Sequence, residues 1–248
     1  MIACIISCSL QQSSEISYII YIMKVSVVIP AYNEEKYIGK CLESLRDQIE
    51  KPDEIIVVDN NCKDKTVEIA REFDVRIIQE KKQGMIYARN AGYDNAKYEI
   101  LARTDADAIL PPDWILKIKK AFGDPNLGGF SGPATYFTTP VLSEISSFVT
   151  FLVISGIGLL FGHPTMFGPN MTIRKSMWEK IRNDVCLRDC DVHEDIDLSI
   201  HLAKIAKIRV DRNLVIRSRR GRWLKLCTEY IVRLIKMLVS HRNNRYKA

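Results

Sequence analysis

The feature that most constrains the fold is a pair of short runs that are almost wholly apolar and rich in β-branched residues. Residues 25–30 are Val-Ser-Val-Val-Ile-Pro, and residues 54–59 are Glu-Ile-Ile-Val-Val-Asp. Such runs are typical of parallel strands that are buried on both faces. Between them, the apolar residues of 35–49 recur with helical spacing, and Pro52 follows as a turn residue. The sequence therefore predicts a strand, a helix and a second strand.

The same alternation continues along the first half of the chain. Further helices are predicted at 64–73 and 84–96, and further strands at 75–79 and 98–104. Four alternations of strand and helix predict an α/β fold, an open, mostly parallel sheet flanked by helices. The second half breaks this rhythm. Its predicted elements are helices at 114–122 and 195–207, strands at 128–136, 171–174 and 214–216, and an apolar stretch over 141–162.

Charge is unevenly distributed along the 248 residues, whose 47% hydrophobic and 27% charged content excludes disordered, collagen-like and disulfide-scaffold classes. Ten basic residues and one glutamate lie between Arg217 and Ala248, a net charge of +9 that leaves −3 for the rest of a chain of total charge +6. This charge distribution favours a basic tail that binds an anionic partner. It does not favour a main domain that binds nucleic acid.

The cysteines favour a reducing, intracellular setting, because there are seven of them at irregular spacings. Cys186, Cys190 and His193 could be interpreted as metal ligands. Their spacing is not that of a Cys-x2-Cys site, however, and no fourth ligand is obvious. We therefore expect no zinc centre here.

Three segments are predicted: an N-terminal extension (1–22), a catalytic-sized domain (23–220) and a basic amphipathic tail (221–248). The extension lacks a basic region ahead of its apolar pieces, so a secretory signal is not expected. One hypothesis is that Met23 is the true start, and the alternative is a genuine short appendage. No run of 18 residues is apolar enough to predict a membrane span, and 148–161 is a weak candidate of about half the required length.

The tail suits the surface of an anionic membrane, because the apolar residues of 222–239 share one helical stripe and the basic residues lie off it. The alternative is a helix docked on the protein's own core, and residues 148–161 have the same two interpretations. We hypothesise that both segments place the protein at the cytoplasmic face of the membrane. The stripe comprises Trp223, Leu226, Cys227, Tyr230, Ile231, Leu234 and Leu238.

Polar and acidic residues follow three of the predicted strands. Residues 31–34 are Ala-Tyr-Asn-Glu, residues 59–61 are Asp-Asn-Asn, and residues 105–107 are Asp-Ala-Asp. Because ligands of open parallel sheets bind at the carboxyl ends of the strands, we expect these residues to meet at one rim. Their convergence is a stronger signal than any one of them.

The rim has no glycine-rich loop to hold phosphate with backbone amides, since Gly-x-Gly-x-x-Gly and Walker A patterns are absent. Asp105 and Asp107 could instead hold a divalent cation that bridges to a diphosphate. Both Mn²⁺ and Mg²⁺ accept such oxygen ligands. The alternative is that this Asp-x-Asp sequence shapes a turn or caps a helix.

Three further groups have both a functional and a structural interpretation. Asp59 could accept hydrogen bonds from a ribose or base, or it could start a turn. Arg89 could pair bidentately with phosphate, or form an ion pair on a helix surface. The acidic cluster 193–198 could supply a general base, or provide acidic residues that suit the start of a helix.

Together these residues resemble a family-2 glycosyltransferase of the GT-A fold over roughly 24–220. The motifs, in order, are Val-Ser-Val-Val-Ile-Pro-Ala-Tyr-Asn-Glu-Glu (25–35), Glu-Ile-Ile-Val-Val-Asp-Asn-Asn (54–61), Ala-Arg-Asn-Ala-Gly (88–92), Thr-Asp-Ala-Asp (104–107) and Glu-Asp-Ile-Asp-Leu (194–198). The resemblance implies an inverting transferase that uses a nucleotide-diphospho-sugar and a divalent metal. The acceptor would be a saccharide or lipid-linked hydroxyl, in envelope polysaccharide or glycolipid synthesis.

The resemblance also implies a role for individual residues. Asp195 would be the catalytic base, and Asp107 would be the metal ligand with Asp105 beside the ribose and metal. Cys62 stands where the family usually has serine, and Ala206 where a glycine often follows the last helix. The implied donor-binding residues are Pro30, Ala31, Asn33, Glu34, Asp59, Asn60, Gly84, Arg89, Asp105 and Ala106.

Two other functions remain open at this point. A nucleotidyltransferase that makes the sugar nucleotide usually has a glycine-rich first loop with a basic residue, which 31–37 lacks. A non-catalytic member that binds nucleotide sugar or acts as a scaffold is the second alternative. The presence of Asp105, Asp107 and Asp195 argues against it.

Overall fold

A computed structural model of the chain describes residues 23–186 and 193–218. The predictions for 1–22 and for the tail after residue 218, as well as Cys190, lie outside the described residues. Within them the chain forms a seven-stranded sheet with helices on both faces and a second, three-stranded sheet at its edge. The predicted α/β class with an open, mostly parallel sheet is confirmed.

The first half follows the predicted alternation. Strands β1 to β4 run in parallel in the order β3-β2-β1-β4. The strands are β1 (Val25–Ala31), β2 (Glu54–Asp59), β3 (Arg76–Gln79) and β4 (Ile100–Thr104). The helices between them are α1 (Ile38–Arg46), α2 (Thr66–Ala70) and α3 (Met85–Asn95). Each helix is shorter than its apolar periodicity predicts, because the residues at its ends belong to the strand-end loops.

The second half extends the sheet to the full order β3-β2-β1-β4-β8-β6-β9. Strand β8 pairs antiparallel with β4 and β6, and β9 pairs parallel with β6. Its strands are β5 (Ala108–Ile109), β6 (Leu127–Ser131), β7 (Ala134–Thr135), β8 (Asn170–Arg174), β9 (Lys207–Val210) and β10 (Ile216–Ser218). Its helices are α4 (Trp114–Phe122), α5 (Pro140–Phe161), α6 (Lys175–Ile181) and α7 (Glu194–Ala203). Strands β5, β10 and β7 form the small sheet.

Two predicted elements of the second half needed correction. The strand predicted at 128–136 is two strands, broken at Gly132, where a Cβ atom would lie 2.2 Å from the Leu214 carbonyl oxygen. The helix predicted to reach residue 207 ends at Ala203, because Lys207 begins β9 beside β6. Helix α6 and the strands β5 and β9 were not predicted at all.

Helix α5 is the largest departure from the prediction. It spans 22 residues from Pro140 to Phe161, and Gly162, which follows it, adopts a left-handed φ of 75°. The expectation that no segment is long and apolar enough to cross a membrane was therefore wrong. Within the described residues, α5 satisfies that criterion by length and composition.

The core lies on both faces of the large sheet. All seven residues of β1 and all five of β4 are buried, as the apolar runs predicted. On one face they pack against α1 and α4, and on the other against α3, α6 and α7. Gly92 of α3 allows the close approach to β1, since a Cβ atom there would lie 2.2 Å from Val28 Cγ1. This packing holds the carboxyl ends of β1, β2 and β4 at one rim.

Candidate active site

The loops after β1 and β2 are tied to each other. Asn33 has a φ of 56°, and its side-chain oxygen accepts a hydrogen bond from the Lys63 amide at 2.8 Å. The Glu34 amide donates to Thr66 Oγ1 at 2.7 Å. The two loops therefore form one rigid edge, and the expected meeting of these strand ends is what the structure shows.

Asp59 and Asn60 organise this edge from the end of β2. Asp59 Oδ1 accepts a hydrogen bond from the Cys62 amide at 2.8 Å. Asn60 is buried, and its amide group donates to the carbonyl oxygens of Glu80 and Lys82 at 2.9 and 2.8 Å. Asn60 thus supports the loop before α3, because its side-chain amide forms hydrogen bonds within the protein.

Gly84 starts α3 in a conformation that few other residues adopt, with a φ of 141°. Its amide donates to Asn60 Oδ1 at 2.8 Å. Pro30, Ala31 and Ala106 lie beneath the rim, where they are buried. Their roles in donor binding stay a prediction.

The acidic pair lies in the turn between β4 and β5. The Ala108 amide closes this turn on the Asp105 carbonyl oxygen at 3.0 Å. Asp105 is partly exposed and accepts a hydrogen bond from Arg103 at 2.8 Å. Asp107 is buried, and Ser218 of β10 lies 3.5 Å from its Oδ2. The pairing of β10 with β5 places the start of the basic tail beside this carboxylate.

The acidic pair has the chemistry of a divalent-cation site. Burial, opposed by the charge of Arg103, raises the pKa of Asp105, and the nearby carboxylates of Asp107 and Glu194 raise it further. A cation would relieve this crowding of negative charge, and carboxylate oxygens are the ligands that Mn²⁺ and Mg²⁺ prefer. Within residues 23–186 and 193–218, no group of three or more His, Cys, Asp or Glu residues is arranged as a metal site. The two carboxylates fit a cation by the chemistry of their oxygen atoms.

Two buried arginines meet one glutamate beneath the acidic pair. Arg89 of α3 and Arg103 of β4 both form ion pairs with the Glu194 carboxylate. The Arg89 side chain is fully buried and also donates to the Glu194 carbonyl oxygen at 2.9 Å. The structure therefore does not place Arg89 at the rim as a phosphate ligand. Its guanidinium is paired with Glu194 inside the protein.

Arg103 connects the acidic pair to the start of α7. Its Nη1 contacts Glu194 and its Nη2 contacts Asp105, so one guanidinium joins the residue before the proposed base to the first aspartate of the pair. Burial alone would raise the pKa of Glu194, but the two arginines outweigh it and hold that pKa below its usual value. Glu194 is therefore an anion that fixes three elements together.

Asp195, the predicted base, lies in the first turn of α7 and is almost fully buried. Its Oδ2 accepts a hydrogen bond from the Gly168 amide at 2.9 Å. Burial and then the Glu194 carboxylate raise the pKa of Asp195. A carboxylate with a raised pKa is a stronger base than an ordinary aspartate, as general-base catalysis requires.

Sequence reasoning missed several residues that build this site. Arg103 lies in an apolar strand, and Gly168 and Asn170 lie outside every motif. Asn170 is buried and accepts a hydrogen bond from Trp114 Nε1 at 2.9 Å while donating to the Leu214 carbonyl oxygen at 2.6 Å. A charged residue inside a fully buried strand was the one available signal, because such a charge requires a partner.

Cys186 belongs to the core and not to a metal cluster among the described residues. It is buried in an apolar cluster with Ile86, Ile157 and Ile196, and its amide donates to Asp197 Oδ2 at 2.8 Å. Cys190, the second residue of the zinc interpretation, lies outside the described residues.

Comparison with known proteins decides the family. Residues 26–180, more than half of the chain, match the family described as Glycosyl transferase family 2. The chain belongs to this family. The match covers every strand-end motif up to the acidic pair, and the base candidate on α7 lies beyond it.

Curated relatives of the family are similar over part of their length. A dolichyl N-acetyl-alpha-D-glucosaminyl phosphate 3-beta-D-2,3-diacetamido-2,3-dideoxy-beta-D-glucuronosyltransferase of Methanococcus voltae is 27% identical over 77% of this chain and 65% of its own length. The putative glycosyltransferase EpsH of Bacillus subtilis is 35% identical over 40% of this chain and 30% of its own length. The chain thus spans less than two thirds of either relative.

Solved structures of glycosyltransferases share the fold. A mannosyltransferase from Pyrobaculum calidifontis, in complex with GDP-Man and Mn²⁺, superposes with a TM-score of 0.66 at 21% identity, over 87% of this chain and 64% of the other. Glucosyl-3-phosphoglycerate synthase from Mycobacterium tuberculosis, in complex with Mn²⁺, UDP and glucosyl-3-phosphoglycerate, gives 0.60 at 15% identity, over 91% and 82%. The GT-A fold of family-2 glycosyltransferases is therefore confirmed.

Proposed function

We propose that this protein is a metal-dependent, inverting glycosyltransferase that moves a sugar from a nucleotide-diphospho-sugar to an acceptor hydroxyl. The observation that carries the proposal is the double contact of Arg103, which joins Asp105 to Glu194, the neighbour of Asp195. An acidic pair suited to a cation and a buried carboxylate suited to act as a base are thereby held together. Nucleotide-sugar and Mn²⁺ complexes of structures with the same fold support it.

The donor would lie against the edge formed by the loops after β1 and β2. Asp59, Asn33 and Glu34 would face its nucleoside, while Asn60 and Gly84 hold the neighbouring loop in place. Asp105 and Asp107 would hold the divalent cation. When bound, that cation supplies positive charge that stabilises the diphosphate leaving group.

The chemical step needs one base and no covalent sugar–enzyme bond. The acceptor hydroxyl oxygen attacks the anomeric carbon of the donor, and Asp195 accepts the hydroxyl proton. The bond between that carbon and the diphosphate oxygen breaks on the opposite side, and its electron pair leaves with the diphosphate. Attack opposite to the leaving group inverts the configuration of the anomeric carbon.

The acceptor would be a saccharide or lipid-linked hydroxyl of the kind used to build envelope polysaccharide or glycolipid. The relatives named above as glycosyltransferases of prokaryotes favour this class. The basic, amphipathic character of residues 222–239 is consistent with work close to a membrane, where such acceptors lie.

Donor turnover tests the proposal. Purified protein is incubated with Mn²⁺ and a panel of UDP-, GDP- and dTDP-sugars, and release of the nucleoside diphosphate is measured with and without a membrane extract as acceptor source. We expect turnover of one donor, lost in Asp195→Asn while that donor still binds. A folded protein that binds a donor but turns none over with any extract would instead support the non-catalytic alternative.

A further inference from the structure

The outer face of α5 is apolar apart from the exposed Glu144 near its start. Eight of the thirteen large hydrophobic side chains that are exposed in the described residues belong to this helix. A surface helix of a globular protein normally carries charged residues on its outer face. In α5 the sole charged residue is Glu144. The exposed members are Val141, Leu142, Ile145, Phe148, Leu152, Val153, Leu159 and Leu160.

The opposite face of α5 is seated on the protein. Ser146, Ile154, Ile157 and Gly158 are buried, and Thr165 Oγ1 donates to the Ile154 carbonyl oxygen at 3.0 Å. A Cβ atom at Gly158 would lie 2.9 Å from the His163 carbonyl oxygen, so the helix also approaches the following loop closely. Because one side is attached to the polar body, α5 as placed here would lie along a bilayer and not cross it.

The charge of the chain fits an anionic surface. The segment from Arg217 to Ala248 carries ten basic residues and one glutamate. It leaves the described structure at Ser218 beside the acidic pair. Basic residues close to an anionic bilayer are attracted to its surface, and an apolar helix face adds the burial of hydrocarbon.

We propose that α5 is an in-plane docking surface for the interfacial region of an anionic phospholipid bilayer, with its outer apolar stripe inserted among the acyl chains. The exposed residues Ile145, Phe148 and Leu152 form the centre of that stripe, since they recur at helical spacing on one side. A large exposed apolar patch on a soluble domain marks an interaction site.

The buried face of α5 lies close in space to the residues around the proposed base. Ile157 of α5 packs in the same apolar cluster as Ile196, the residue after Asp195. The loop that follows α5 reaches Gly168, whose amide holds the Asp195 carboxylate. If the proposed function holds, docking through α5 would present this side of the active site to acceptors in the bilayer. The docking itself does not depend on that function.

Vesicle flotation of the full chain tests the proposal. The test variant is Ile145→Glu with Leu152→Glu, which places two carboxylates on the outer stripe. The control variant is Ile49→Glu with Ile205→Glu, which makes the same charge change at exposed hydrophobic residues elsewhere. Vesicles of phosphatidylcholine with phosphatidylglycerol are the probe. We expect partitioning to fall at least tenfold in the test variant and less than twofold in the control.

A second variant reports insertion directly. The substitution Phe148→Trp places an indole at the centre of the stripe, where brominated acyl chains should quench its fluorescence. The native Trp114 and Trp178 are buried and should not be quenched. Trp223 of the tail is replaced by Phe in both proteins, so Phe148→Trp should lose more fluorescence than its parent.

Four outcomes overturn the proposal. The first is equal flotation of the test and control variants, and the second is no additional quenching in Phe148→Trp. The third is flotation that increases when residues 222–248 are deleted, because the tail would then be what covers α5. Dissociation of a dimer by the test variant, without vesicle binding by the wild type, would also overturn it and would identify a second copy as the occupant.

Nucleotide binding by the same variants separates the two proposals. Vesicle binding without any donor binding would contradict the proposed function and leave the docking surface standing. Donor binding without vesicle binding would contradict the docking surface and leave the proposed function standing.

Discussion

The strand-end rim and helix α5 differ in where their charged and apolar side chains lie. Beneath the rim, charged side chains lie inside the protein and are neutralised by each other, as Arg89 and Arg103 are by Glu194. On α5, apolar side chains lie outside with nothing from the described residues covering them. This difference is what the two proposals require, because the rim would bind a charged, small-molecule donor and α5 would dock on an apolar surface. The predictions below test each side of this contrast.

The largest expected effect is on catalysis at the rim. Asp195→Asn keeps an oxygen that can accept the Gly168 hydrogen bond but removes the base. We expect kcat to fall about 10³-fold, since general-base catalysis contributes about 10²–10⁴-fold, while donor affinity changes less than about twofold. Steady-state kinetics and calorimetry measure the two quantities. A variant with near-normal kcat would assign the proton to another group.

The next effect is on the stability of the buried charge network. Glu194→Gln removes the anion that two buried guanidinium groups share, and Arg103 then keeps only Asp105. This loss should cost about 3 kcal/mol in the free energy of unfolding. The matched control is Asp113→Asn, which breaks the surface ion pair with Lys117 and should cost less than about 1 kcal/mol. Urea denaturation of both variants measures the difference. Equal, small costs would show that the network is not what holds α7 in place.

Two glycine-to-alanine substitutions compare the packing of the two regions. Gly92→Ala drives a methyl group into Val28 of β1 and should destabilise the fold by about 1–3 kcal/mol. Gly156→Ala on α5 meets nothing within 4 Å and should stabilise the helix by up to about 1 kcal/mol, because alanine is the better helix former. Thermal unfolding of both variants provides the test. A destabilising Gly156→Ala would indicate that α5 is covered by another part of the protein.

The smallest effect is a displacement of the pH–rate profile. Burial and the Glu194 carboxylate raise the pKa of Asp195, and the base acts when ionised, so kcat should fall as the pH decreases through this raised pKa. The acidic limb should therefore lie above the ordinary aspartate value of 3.8. Glu194→Gln removes one cause of the shift and should move the limb to lower pH. An unmoved limb in this variant, measured while it is folded, would contradict the assignment of the limb to Asp195.

The first half of the fold was predictable because its strands are buried on both faces and its loops are polar. The spacing of the apolar residues and the composition therefore both predicted strands for β1, β2 and β4. The position of the acidic residues at one rim followed from the topology of a parallel sheet. The second half was not predictable at the same level. Its strands pair antiparallel across long sequence separations, such as β4 with β8, and no local pattern encodes that register.

Within the site, the sequence predicted the acidic residues but not their partners. Arg89 was expected either to pair with phosphate or to form an ion pair on a helix surface, and it forms a buried ion pair instead. Its true partner, Glu194, lies 105 residues away along the chain. Helix α5 was underestimated for a different reason: Ser and Thr residues interrupt its apolar run in sequence, yet its exposed face is continuous once wound into a helix.

Calorimetric titration with a panel of nucleotide-diphospho-sugars tests the central claim, a metal-dependent donor site at the rim, most directly. The wild type and Asp107→Asn are each titrated with UDP-, GDP- and dTDP-sugars in Mn²⁺ and in EDTA. The wild type should bind one nucleotide-diphospho-sugar in Mn²⁺. Its affinity for that donor should fall at least tenfold with EDTA and in Asp107→Asn. Binding that is equally tight in EDTA and in the variant would contradict the central claim, as would a folded wild type that binds no donor.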